Sequence, residues 1–107
     1  MRPFGDIHFI VYIYMYKIQP RTIEIANELG LSVYPSDNNK YKIEVYDKDG
    51  IFMFYGGDPN YKDYHIYKKE DGLAYAKERQ RLYKIRHAKE IAKVGSRGWI
   101  IYKLLWF

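Results

Sequence analysis

Apolar positions change period several times along the chain, and each change marks an element. Ile7–Ile18 is dense in β-branched and aromatic residues, its apolar run Ile7–Tyr16 interrupted at the start by His8, and predicts a strand that is apolar on both faces. Such a strand belongs in the middle of a sheet or against a second copy of the chain. From Pro20 to Leu29 the spacing of Ile23, Ala26 and Leu29 is helical, with Thr22 as its cap and Gly30 as its stop. Leu31–Val33 leads into a turn-rich loop, Tyr34–Asn39. Strict alternation follows: Tyr41, Ile43 and Val45 on one face, Lys42, Glu44 and Tyr46 on the other. Asp47-Lys48-Asp49-Gly50 is a turn and Ile51–Tyr55 the return, which together make a hairpin.

Gly56-Gly57-Asp58-Pro59 ends that return, and Tyr61–Tyr67 reads as an aromatic loop. Asp71 is placed to cap a helix from Gly72 to about Val94, with a break or bend near Arg86–Glu90. Leu73, Ala76, Tyr83, Ile91 and Val94 form its interrupted apolar stripe, widened by Tyr75, Leu82 and Ile85. Gly95 closes the helix, and Trp99–Phe107 is a final apolar strand or short helix anchored by Trp99, Leu104, Leu105 and Trp106. The pattern predicts an α+β fold: a small, mainly antiparallel sheet with one short helix and one long basic helix packed on one face. Residues 1–19 form an apolar N-terminal strand or extension, and residues 20–107 a single domain.

Composition narrows the classes. The 107 residues are 48% apolar and 29% charged, enough to bury a core and unlike a disordered tail. There is no cysteine, which excludes disulfides and thiolate metal sites. The longest apolar run is about half of the roughly twenty residues a bilayer requires. No cleavage-site pattern follows it, so a soluble, non-secreted protein without membrane contact is expected.

Charge is the feature that points outward. The net charge is +5, unevenly placed: residues 1–67 carry seven Lys/Arg against nine Asp/Glu, residues 68–107 eleven against four. A field of one sign at one end favours an acidic partner such as nucleic acid. The thirteen tyrosines suit base stacking and interfaces, although an AT-rich genome enriches the same residue. Lys77, Arg79, Arg81, Lys84, Arg86, His87, Lys89 and Lys93 are the candidate binding residues for the phosphate backbone of DNA, without base specificity.

Within that set, Arg79, Tyr83 and Arg86 or His87 recur at helical spacing and could grip a phosphate with arginine forks. The competing reading is a packing knot. In it Asp63 pairs with Arg79 or Arg86, and His87 bonds a carbonyl of the Gly95–Gly98 turn. Catalysis and metal binding find little support. His8, His65 and His87 have no metal-site spacing, and Asp58, Asp63 and His65 on one stretch are the only hydrolytic candidates. Neither a phosphate-cradling loop nor a dinucleotide fingerprint is present, and no cofactor is expected.

One further pattern concerns order rather than spacing. Tyr61, Asp63 and Tyr64, then Gly72, Ala76 and Arg79, then Tyr83, Arg86 and His87, then Gly95-Ser96-Arg97-Gly98-Trp99, then Leu104-Leu105-Trp106 follow in sequence. Upstream stand Glu28-Leu29-Gly30-Leu31, Pro35-Ser36 and a hairpin ending at Gly57-Asp58. This order resembles a family of small proteins of nucleocytoplasmic large DNA viruses, the amoeba-infecting giant viruses among them. The resemblance covers roughly residues 20–106 and leaves the N-terminal apolar strand outside. The family it points to is uncharacterised, and some members look like abundant virion components. The resemblance thus implies a location, the virion and the host cytoplasm where the virus replicates, without a mechanism.

Two functions follow as alternatives. One is a non-enzymatic viral protein that binds nucleic acid or another polyanion through the basic helix. The other is a structural protein of the particle that acts as a homodimer, its basic face serving solubility alone.

Overall fold

The computed structural model describes residues 16–107, which fall into two compact units, one ending at Pro59 and one running from Asn60 to Phe107. The predicted strand at Ile7–Ile18 lies almost wholly outside the described residues. The architecture is α+β: a three-stranded antiparallel sheet and five helices among the described residues.

In the first unit, α1 (Pro20–Glu28) starts where its spacing puts it, but its cap lies three residues before the expected Thr22. Gln19 is the extended N-cap residue and Pro20 takes the first helical position, where its missing N–H costs nothing. Thr22 is therefore inside the helix, and it is buried with Ile25 and Ala26 on one face. Gly30 ends the helix at φ 72°; the Gly30 N–H donates to Asn27 and the Leu31 N–H to Ala26, the paired bonds of a Schellman stop.

The chain then enters β1 (Ser32–Pro35), where sequence spacing predicts only a lead into a loop. The strand is four residues long and ends in proline, too short for periodicity to reveal; pairing with β2 (Ile43–Tyr46) defines it. The sheet order is β1-β2-β3, with β3 at Phe52–Gly56. The hairpin stands where the alternation puts it. Asp47 Oδ1 accepts from the N–H groups of Asp49 (2.9 Å) and Ile51 (3.0 Å), and Gly50 supplies the positive φ. Ile43 and Val45 are fully buried and form the unit's core with Ile25 and Ala26. Lys42 and Glu44, on the other side of the pleat, are buried too. Glu44 accepts from the Asp37 N–H and the Tyr46 hydroxyl, while burial lowers the Lys42 ammonium to about 8 against the opposing pull of Asp58.

The second unit is helical: α2 (Tyr64–Asp71), α3 (Leu73–Arg86), α4 (Ala88–Ala92) and α5 (Arg97–Leu105). The loop read at Tyr61–Tyr67 is half helix. Asp63 precedes α2 in the extended N-cap conformation, and its carbonyl accepts from Ile66 (3.0 Å) and Tyr67 (2.9 Å). Asp71 ends α2 instead of capping the next helix, and accepts from Lys62 Nζ at 2.8 Å. Gly72, at φ 92°, makes the corner between α2 and α3. The single long helix to Val94 is two: it breaks at His87 (φ −113°, ψ 22°), inside the interval where a break is predicted, and α4 stops at Ala92. The tail is the helix of its two alternatives. Ser96 caps α5 by accepting from the Trp99 N–H, and its own hydroxyl donates to the Glu90 carbonyl at 2.9 Å.

Packing explains why the apolar stripe on α3 fails as a core face. Only Ala76 is buried on that helix; Leu73, Tyr75 and Ile85 are exposed, and so is Val94 beyond α4. Ile85 is nine residues from Ala76, which at about 100° per residue puts it roughly opposite on the helix. Within its own unit the helix packs on α2 and α5. The core there is aromatic: Tyr83 stacks on Trp106 with ring centres 4.5 Å apart, Tyr102 lies parallel to Tyr83 at 6.4 Å, and Tyr67 tilts against Trp106. Leu104, Leu105 and Trp106 are buried as anticipated, and Trp99 is half-buried.

Candidate nucleic-acid interface

The eight candidate residues separate into two cationic sides and a break. Lys77, Arg81 and Lys84 recur at i, i+4 and i+7, so they stand in one row along α3. With Gln80, Ile85 and Ala88 they line an open groove of about 370 Å³. Lys77, Lys84, Lys89 and Lys93 are exposed and form no ion pair among the described residues. Arg81 lies over Glu78, donating from Nε and Nη2 at 2.8 Å each. This pair holds the Glu78 carboxyl below the usual range. It is a surface contact, of the kind that solvent screens and a phosphate can displace.

Arg79 and Arg86 occupy a different side, turned roughly 180° from the lysine row. Neither pairs with Asp63, so that part of the packing-knot reading does not hold. The Arg79 guanidinium lies 5.6 Å from the ring centres of both Tyr61 and Tyr67, and Arg86 lies 5.9 Å from Tyr61. Arginine's flat, weakly hydrated group favours such stacking over burial of a bare charge. Arg79 Nε is buried without a hydrogen-bond partner.

His87 belongs to neither side. It occupies the break, its ring stacked on Tyr83 at 4.3 Å and its Nδ1 3.0 Å from Glu90 Oε2. The carbonyl of the Gly95–Gly98 turn that the sequence offers as its partner is not used. The turn is instead fastened through Ser96 to the Glu90 carbonyl. Lys89 lies on α4 and Lys93 just after it, beyond the break, so they continue the positive charge without sharing the register of α3.

The hydrolytic candidates do not gain a function from the geometry. Asp63 is 2% exposed, and burial pushes its carboxyl up to about 7. His65 packs edge-on against Tyr64, and Asp58 is exposed on the first unit. Among the described residues no group of three or more His, Asp or Glu side chains is placed to hold a metal ion. None of their helices is long and apolar enough to cross a membrane.

Sequence spacing misses the partners of the cations. Tyr61 reads as part of an aromatic loop and Tyr75 as core, whereas both are surface rings on the arginine side. The signal was present: Tyr75, Arg79, Leu82 and Arg86 recur at i, i+4, i+7 and i+11, the same progression as the lysine row. Gln80 is also informative, because its amide donates to the Trp106 carbonyl at 2.6 Å and so fixes which way α3 is turned.

Comparison with protein-family models, curated proteins and solved structures finds no match to this chain.

Proposed function

We propose that this is a non-enzymatic, virion-associated viral protein that binds nucleic acid or another polyanion through the basic face of its second unit. The observation that carries the reading is the row Lys77, Arg81 and Lys84 beside an open groove, with Lys89 and Lys93 also exposed. Exposed ammonium groups spaced along a helix neutralise phosphates without reading bases, so binding is to backbone and independent of sequence. The viral assignment, and with it a place in the particle and the host cytoplasm, is supported by the order of motifs from Tyr61 to Trp106.

The interface is narrower than the eight candidates. His87 is committed to Glu90 and Tyr83, and Arg79 and Arg86 stand on the opposite, tyrosine side of α3, which leaves the lysines and Arg81 as the duplex-binding set. The triple variant Lys77→Ala/Arg81→Ala/Lys84→Ala should bind a fluorescent duplex at least about tenfold more weakly in moderate salt, with its fold intact. Unchanged binding would remove the proposal.

The second reading, a homodimer with a structural role, is favoured by one separate observation. Ile51, Phe52 and Met53 are consecutive exposed apolar residues at the start of β3. A chain that stays monomeric by light scattering at high micromolar concentration would exclude it.

A further inference from the structure

The arginine side of α3 differs in kind from the lysine row, and the difference bears on which nucleic acid it accepts. On the lysine row no cation meets a ring among the described residues: Lys77 and Lys84 form no ion pair with them and Arg81 lies over Glu78, beside an aliphatic patch of Ile85 and Ala88. On the other side every cation is joined to an aromatic ring. Tyr61 is 41% exposed and has both Arg79 and Arg86 within 6 Å of its ring centre. Tyr75, one turn before Arg79 on the same side, is 49% exposed and touches Tyr67 edge to face, with ring centres 5.7 Å apart. Tyr67 is itself buried and carries the other face of the Arg79 contact. Two partly open rings therefore lie on one side of α3, Tyr61 with both guanidinium groups beside it and Tyr75 against the buried Tyr67.

Duplex DNA has little use for such a surface, because its bases are already stacked on one another. A single strand does: its bases need a flat apolar partner, and its phosphates need cations at nucleotide spacing. Arg79 and Arg86 are seven residues apart, roughly 10 Å along the helix axis. Both guanidinium groups nonetheless converge on one ring, so two cations stand beside the Tyr61 platform. The Arg79 guanidinium is held by its contacts with the Tyr61 and Tyr67 rings, while its Nε is buried without a hydrogen-bond partner.

We infer that Tyr61, Tyr75, Arg79 and Arg86 form a single-stranded nucleic-acid site, with the tyrosines as stacking platforms and the arginines as backbone contacts, distinct from the duplex-binding lysine row. The inference rests on the nucleic-acid reading above and names the form of nucleic acid that this side takes.

The test compares an unstructured mixed-sequence oligodeoxynucleotide with a duplex, by fluorescence anisotropy on the full chain. Tyr61→Leu and Tyr75→Ala should each weaken single-strand binding about five- to tenfold and leave duplex binding within about twofold. The lysine-row triple variant should show the converse emphasis. Because Tyr61 also supports Arg79, a second measurement uses the unaltered protein: photocrosslinking to a 5-bromouracil-substituted single strand should map to Tyr61 or Tyr75. Single-strand binding that survives both substitutions, or crosslinks that map elsewhere, would overturn the inference while leaving duplex binding as it stands. A wild-type protein that binds neither form would remove both the inference and the functional reading beneath it.

Discussion

At the scale of single residues, burial decides what the charged side chains can do. Asp63 is the clearest case. A carboxyl that is neutral in the folded state up to about pH 7, but ionises near its ordinary 3.8 when unfolded, makes the folded protein bind more protons between those values. Its contribution to stability is thus greatest in acid and is lost as pH rises through about 7. Wild-type protein should resist urea better at pH 5 than at pH 8 through this residue. Asp63→Asn should remove that dependence and stabilise the fold at pH 8 by an amount on the order of a few kcal/mol. Urea titrations of both proteins across this range check it, and a stability gain for wild type on going to pH 8 would refute it. Sequence position alone offers no warning of this. Asp63 reads as a cap or a salt-bridge partner, and only the packing of α2 shows how little water reaches it.

At the scale of elements, what was legible depended on length and on turn chemistry. The hairpin could be read because its alternation and Asp-Lys-Asp-Gly turn agree, and α1 because its apolar spacing and Gly30 stop agree. β1 escaped notice because four residues carry too little periodicity, and its existence is owed to β2. α2 is not legible because its buried i, i+3 pair, Tyr64 and Tyr67, falls in an aromatic run that reads as loop, although Lys68 and Lys69 sit where a last helical turn would have them. α3 is legible as a helix but its inward face is not, since its apolar residues are spread around the axis and only Ala76 is fully covered. The α4–α5 contact is tighter than its short helices suggest. A Cβ at Gly98 would overlap the Glu90 Cβ and lie 3.3 Å from the Glu90 backbone, so α4 must move if position 98 grows. Gly98→Ala should therefore cost about 1–3 kcal/mol in chemical denaturation, and an unaffected midpoint would show that the two helices separate freely.

At the scale of the whole molecule, the sequence correctly locates excess positive charge in the C-terminal part, and the structure sorts it. Composition groups Arg79, Arg81 and Arg86 with the lysines as one basic stretch, although helical spacing already divides them between two sides of α3. Tertiary packing gives Arg79 and Arg86 tyrosine partners, leaves Lys77, Arg81 and Lys84 on the open groove, and puts His87 in the break. That sorting depends on the turn of α3 about its own axis, which is fixed by contacts far along the chain: Gln80 on the Trp106 carbonyl and Tyr83 on Trp106. No window of sequence around α3 contains those partners. A polyanion-binding role consequently rests on fewer residues than composition suggests, and the measurement that tests it must count ionic contacts.

The most direct such measurement is the salt dependence of binding to a short duplex by wild-type protein and by Lys77→Ala/Arg81→Ala/Lys84→Ala. Each phosphate neutralised contributes a slope of about −0.9 in log K against log salt, so removing this row should make the slope shallower by about 2–3. Identical slopes for the two proteins, or no salt-dependent binding by wild type, would contradict a docking role for the lysine row.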